Sequence, residues 1–203
     1  MTIPYRGRTT ATTYFVTAGT YLKENVLQSE AMAELFCQVL FRYRAAQKLQ
    51  LHAFVVMPNH FHLLLTVPEG STVERVMQLI KGGFSYDAGR LLGARFEIWQ
   101  KSFVDRRIRD AGECGKYRDY IHENPVRAGL AGSANEYRYS SLNPAFTLDE
   151  LPQRLEAVPL QACRPQPPNH VNDPDWNCVS ERRSSTGLPW RLVQATPSSA
   201  DGP

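Results

Sequence analysis

The sequence predicts an α+β fold of the ferredoxin-like or RNA-recognition kind, an antiparallel sheet with helices packed on it. Three observations carry that expectation. Two apolar runs, residues 51–57 and 60–67, are separated only by Pro58-Asn59, whose turn chemistry makes a β-hairpin. Apolar residues return at three- and four-residue spacing on either side of that hairpin, as amphipathic helices require. The resulting order, β-α-β-β-α-β-α, sets helices against an antiparallel sheet.

Residues 1–12 read as a basic N-terminal arm carrying Arg6 and Arg8. Residues 12–20 are rich in Thr, Tyr, Phe and Val and predict the first strand. Over 28–48, Met32, Leu35, Phe36, Val39, Leu40 and Tyr43 recur at helical spacing, with Ser29 as the N-cap. Both hairpin runs are apolar on both faces, which predicts central rather than edge strands. Residues 71–92 repeat the helical spacing through Val73, Val76, Met77 and Ile80, with Ser71 and Glu74 as a capping box. Gly82-Gly83 is expected to loosen the middle of that helix. Residues 94–104 predict a strand or an extended segment, and 113–124 a third helix. That helix is expected to stop at Pro125, because the residue before proline is steered away from the helical region. From 146 to 203 recurrent prolines punctuate a polar stretch, which is expected to be a largely disordered tail after a domain spanning 1–145.

Bulk properties narrow the function only slightly. Of 203 residues, 42% are hydrophobic and the formal net charge is +3, so the charge is compatible with a polyanionic partner without arguing for one. Cys37, Cys114, Cys163 and Cys178 have no C-x-x-C spacing, which argues against a zinc ribbon or a disulfide framework. No apolar run approaches the length of a membrane span, and no signal-peptide pattern opens the chain. A cytoplasmic protein without membrane contact is the expectation.

His60-Phe61-His62 is the first pattern with chemistry in it. Alternate residues on a strand share a face, so the two imidazoles stand side by side as half of a metal site. Tyr120 and Asn124, one helical turn apart in the third helix, are candidates for the other half. Two nitrogens and an amide oxygen can hold a divalent metal while leaving positions open for a phosphate oxygen. A phenol is a weak nucleophile until its phenolate is stabilised, which a metal can do. The same residues have ordinary readings. Histidines beside a turn are commonly hydrogen-bonded at a sheet end, helical tyrosines usually pack, and Asn before Pro is often a helix stop.

Three blocks in order settle which reading to follow. They are Met57-Pro58-Asn59-His60-Phe61-His62-Leu63-Leu64, then Trp99-Gln100-Lys101-Ser102-Phe103, then Tyr120-Ile121-His122-Glu123-Asn124-Pro125-Val126-Arg127-Ala128-Gly129-Leu130. Together they resemble the REP-associated tyrosine transposases of bacteria, single-tyrosine HUH transposases of the IS200-like superfamily, over about residues 5–145. The resemblance implies nicking and strand transfer on single-stranded DNA beside a hairpin, with Mg²⁺ or Mn²⁺ and a covalent 5′-phosphotyrosine. By motif position His60, His62 and Asn124 are implied as metal ligands and Tyr120 as the nucleophile, with Tyr117 its rival one turn earlier. Asn124 stands where some relatives carry Gln. Arg6, Arg8, Lys81, Arg106, Arg107, Arg109 and Arg127 are candidate phosphate contacts, and Trp99 a candidate platform for an unpaired base. Single-stranded or hairpin DNA is the implied partner, the protein acting as a monomer or homodimer near the nucleoid. The alternative is a non-catalytic hairpin-DNA-binding module. A metallohydrolase of small phosphate esters is a weaker alternative, since no carboxylate neighbours the histidine pair in sequence.

Overall fold

The first strand forms as expected, Thr12–Gly19 (β1), in a computed structural model that describes residues 10–94, 97–152 and 155. It is followed by Glu30–Ala45 (α1), Gln50–Met57 (β2), His60–Val67 (β3), Val73–Leu92 (α2), Val104–Arg107 (β4) and Ala111–Arg127 (α3). The sheet runs β2-β3-β1-β4 and every pairing is antiparallel. This is the predicted ferredoxin-like arrangement, with α3 added after it.

The hairpin forms across Pro58-Asn59, and every residue of β3 is buried. The position of β2 differs from expectation, because it lies at the end of the four-stranded sheet. It is apolar on both faces because helices cover both, and its free edge is closed by a later segment. Val56 N donates to the Tyr139 carbonyl at 2.9 Å, and Ser141 N to the Phe54 carbonyl at 2.9 Å. An edge so paired cannot template a foreign strand.

Ser29 caps α1 as predicted, accepting from Met32 N. The cap of α2 is Thr72, whose hydroxyl accepts from Arg75 N at 3.2 Å, rather than Ser71. Gly82-Gly83 does not interrupt α2. A Cβ on Gly83 would lie 2.7 Å from Tyr43 Oη, so this glycine lets α1 and α2 approach closely. The extended segment expected over 94–104 is split. Trp99 bridges to Thr20, and regular pairing starts again only at Val104. Phe96 lies outside the described residues.

The third helix departs most from its prediction. It begins at Ala111, capped by Asp110 accepting from Glu113 N at 2.8 Å, and runs through Pro125 to Arg127. Pro125 lacks only the single N–H that would reach back one turn, and the helix continues around that loss. The stop comes from Gly129 at φ +68°, with Leu130 N bonded to the Pro125 carbonyl and Gly129 N to the Val126 carbonyl. That is a Schellman closure, which favours glycine at the left-handed position.

Two apolar layers lie on the two faces of the sheet. Val16, Phe54, Phe61, Leu63 and Leu65 face α1 and α2, with Phe36, Leu40, Met77, Ile80 and Phe84 opposite them. Phe15, Val55, Met57 and Leu64 face α3, with Cys114 and Ile121 opposite. The described part of 146–203 packs on this body. Phe146 stacks on Phe41 at 5.2 Å, and Asp149 pairs both oxygens with Arg44 at 2.8 Å.

Candidate active site

Strand register decides which side chains share the α3 face. Thr17 is paired with His62, Gly19 with His60, and Phe15 with Leu64. Across the other edge of β1, Phe15 is paired with Arg106 and Tyr14 with Arg107. Alternation then puts His60, His62, Phe15, Thr17 and Arg106 on the face that α3 covers. His60 and His62 meet ring to ring at 4.9 Å, the side-by-side pair that the motif predicted.

Hydrogen bonds fix the tautomer of each ring. Asn59 Oδ1, an acceptor, lies 2.7 Å from His60 Nδ1. That nitrogen therefore carries the proton, and Nε2 carries the lone pair. Asn124 Nδ2 donates to His62 Nε2 at 3.2 Å, so His62 Nδ1 holds its proton and donates to Thr17 Oγ1 at 2.7 Å. Burial pushes the His60 pKa down to about 4, partly opposed by the nearby Asn124 amide and assisted by the charge of Lys23. Burial, then the neighbouring His60, holds His62 well below the usual histidine range. Both rings are neutral at pH 7.

Among the described residues, two buried side-chain polar atoms have no hydrogen-bond partner, His60 Nε2 and Asn124 Oδ1. Each such atom costs about 1–3 kcal/mol when left unmet. They occur together, beside the His62 Nε2 lone pair. No three His, Cys, Asp or Glu side chains gather at this or any other place among the described residues, so the donor set is two imidazoles and an amide. His60 Nε2 and Asn124 Oδ1 are open acceptors, and His62 Nε2 joins them once the Asn124 amide releases it; two imidazoles and an amide oxygen fit a divalent cation that keeps open positions. Buried acceptors that no protein donor meets are what such a cation would satisfy.

The tyrosines stand beside this donor set. Tyr120 meets the His62 ring edge-on at 5.2 Å, and Arg127 lies over the Tyr120 ring at 5.7 Å. Tyr117 stacks on Phe15 at 4.5 Å, and Phe15 in turn stacks on His62 at 5.5 Å. Arg106 and Lys116 flank the Tyr117 ring at 5.8 and 5.9 Å. One turn of α3 thus aligns Tyr120 and Asn124 over the histidines, as their spacing suggested.

The other candidates separate. Trp99 is buried among Phe36, Phe61 and Phe84 on the opposite face, with Nε1 donating to the Lys81 carbonyl at 3.0 Å. It is a core residue and offers no ring face to an unpaired base. Lys81 donates to the Gln100 carbonyl at 2.6 Å and braces that segment rather than the histidine pair. Arg107 shares the face of Tyr14, away from α3. Arg109 is exposed at the start of α3, where Glu113 accepts from its backbone N–H at 3.0 Å. Arg6 and Arg8 lie outside the described residues. Sequence reading missed Thr17 and Asn59, which orient the rings. Asn59 sits within the motif block, but Thr17 becomes a partner only through register.

The family described as "Transposase IS200 like" matches residues 9–124, more than half of the chain. A relative from Haemophilus influenzae is 27% identical over 146 residues, covering 64% of this chain and 82% of its own. One from Escherichia coli, named REP-associated tyrosine transposase, is 25% identical over 137 residues, covering 64% and 80%. A solved structure of a REP-associated tyrosine transposase bound to a REP hairpin superposes with a TM-score of 0.59 at 24% identity, over 70% of this chain and 82% of that one. At that identity the likeness supports the fold.

Proposed function

The chain belongs to the IS200-like transposase family, and from that premise we propose that it nicks single-stranded DNA beside a REP-type hairpin and transfers the cut strand through a 5′-phosphotyrosine. The observation that carries this reading is Tyr120 against His62, one helical turn before Asn124, on the face that holds both histidines. Tyr120 is the nucleophile. Its Oη forms a bond to phosphorus while the bond from phosphorus to the sugar 3′-oxygen breaks. The phenolic proton passes to solvent, and the departing oxygen takes up a proton and ends as a 3′-hydroxyl. The ester retains the bond energy, so the 3′-hydroxyl of another strand can attack in reverse and free the phenol.

A divalent cation, Mg²⁺ or Mn²⁺, held by His60 Nε2, His62 Nε2 and Asn124 Oδ1, would draw charge from the phosphate and make phosphorus more electrophilic. The protein's own groups do the remaining work. Asn59 and Thr17 hold the imidazoles in the tautomer that presents Nε2. Arg127 packs on the Tyr120 ring and adds positive charge where the phenolate forms. Arg106 and Lys116, on either side of Tyr117, suit phosphate contact along the same face. Arg109 is a further candidate for phosphate contact, and Arg6 and Arg8, outside the described residues, are candidates from the resemblance alone. The hairpin substrate is supported by the Escherichia coli relative's name and by the hairpin-bound structure.

The test is adduct formation on a labelled REP hairpin oligonucleotide with single-stranded flanks. Tyr120→Phe is expected to form no adduct while still binding, Tyr117→Phe to form it, and a chelator to stop the wild type. An adduct that survives Tyr120→Phe refutes the assignment. Binding with no adduct under either metal would mark a non-catalytic hairpin-binding module.

A further inference from the structure

The block Trp99-Gln100-Lys101-Ser102-Phe103 has no role in the chemistry above, although Trp99 anchors it in the core. Its placement brings one polar side chain to the histidine face. Trp99 bridges antiparallel to Thr20, and Gln100 N donates to the Gly19 carbonyl at 3.0 Å. The register therefore sets Gln100 opposite Gly19, and Gly19 is opposite His60 on the far side. His60, Gly19 and Gln100 make one row across three neighbouring segments, on one face of the sheet.

The middle of that row is a glycine, so no side chain stands between Gln100 and His60. Gly19 has no positive φ, so its backbone does not demand glycine. A Cβ built on Gly19 would meet Gln100 Oε1 at 3.4 Å and Cδ at 3.5 Å. The Gln100 side chain thus lies over Gly19, in the space a larger residue would fill, on the way to His60. Oε1 and Cδ are the atoms against the strand, so the amide nitrogen is the end directed away from it. The backbone of Gln100 is held on two sides, by Gly19 and by Lys81 Nζ at 2.6 Å from its carbonyl. The side chain is half-buried.

We propose that Gln100 is a phosphate-positioning residue of this site. Its carboxamide, laid across Gly19 beside His60, donates an N–H to a non-bridging oxygen of the phosphodiester seated at the histidine pair. The inference rests on the DNA-cleaving reading above and adds a contact to it. A neutral amide suits the position, because its N–H orients the phosphate without adding charge beside the imidazoles.

The experiment measures binding rather than turnover. In a Tyr120→Phe background with Mg²⁺, fluorescence anisotropy compares the REP hairpin oligonucleotide with one carrying a methylphosphonate at the linkage the wild type cuts. Gln100→Ala is expected to weaken binding of the natural diester by about tenfold, as for a hydrogen bond to a charged group, and the neutral linkage much less. Gln100→Glu, which keeps the shape and replaces donors with a carboxylate, is expected to lose more on the diester. Equal losses on both oligonucleotides, or no loss on either, would overturn the inference while leaving the parent reading intact. A wild type that forms no adduct on the hairpin would instead remove the parent reading, and this inference with it.

Discussion

Two neutral imidazoles are useful ligands only if the same nitrogen of each ring is left with its lone pair toward the metal. Asn59 does this for His60 at 2.7 Å, and for His62 the Asn124 amide on Nε2 sets the tautomer while Thr17 Oγ1, at 2.7 Å, receives the Nδ1 proton. Partners of this kind typically change metal affinity by about 10–100-fold when removed. Asn59→Ala and Thr17→Val are each expected to weaken Mn²⁺ binding by roughly that factor. Thr17→Val also leaves the buried His62 Nδ1–H without its acceptor, and is expected to lower stability by about 1–3 kcal/mol. Calorimetric titration of Mn²⁺ reads the first effect and a melting curve the second; unchanged affinity in both variants would mean the tautomers are set elsewhere. The histidine pair itself was legible in sequence because strand alternation makes His-x-His a geometric statement. Tyr120 and Asn124 were legible through helical spacing and family likeness. Thr17 lies 45 residues from His62, and nothing short of the register joins them. Trp99 misled for the opposite reason, since an aromatic beside a basic stretch reads alike as platform or as core until its surroundings are known.

At the scale of elements, prediction followed periodicity well and punctuation poorly. The first two helices and the hairpin lie where apolar spacing put them, and the third overlaps its expected range. Several of the departures fall on Pro and Gly, whose effect depends on what stands next to them. Pro125 gives up a single backbone donor and α3 continues, while Gly129, two residues past Arg127, closes the helix in the left-handed region. Gly82 and Gly83 are adjacent in α2 and look equivalent in sequence, yet they are expected to respond oppositely to alanine. A Cβ on Gly82 meets nothing within 4 Å, so Gly82→Ala should stabilise the protein by about 0.8–1 kcal/mol through helix propensity. A Cβ on Gly83 would stand 2.8 Å from Tyr43 Cε2, so Gly83→Ala must displace that ring from between α1 and α2. Loss of that packing outweighs the propensity gain, and the variant should be less stable than wild type. Urea unfolding of both variants separates the cases, and a stabilised Gly83→Ala would show that Tyr43 moves aside at little cost.

Across the whole molecule, the segment following α3 is joined to the sheet by a buried polar line. Thr13 and Thr66 hydroxyls meet at 2.8 Å, Thr66 reaches His52 Nε2 at 2.8 Å, and His52 Nδ1 donates to the Asp149 carbonyl at 3.1 Å. Every link is satisfied with a neutral imidazole, its Nδ1 donating and its Nε2 accepting. Protonation would turn the Nε2 acceptor into a donor and bury a charge. Burial accordingly lowers the His52 pKa from its ordinary value, against an opposing pull from Asp149. The sign follows from proton counting. Below about pH 6.5 the unfolded chain binds a proton at His52 that the folded one resists, so stability rises with pH in that window. The full contribution of the neutral state is present above about pH 6.5 and is lost as pH falls toward the folded-state pKa. Other buried histidines add to the same slope, so the diagnostic quantity is a difference between proteins. His52→Gln keeps an amide able to bond on either side and cannot titrate. The drop in unfolding free energy between pH 7.5 and pH 5.5, measured in urea, is expected to be smaller in His52→Gln than in wild type. An equal drop in the two proteins would place the acid sensitivity of the fold elsewhere and leave His52 as a spacer between the sheet and Asp149.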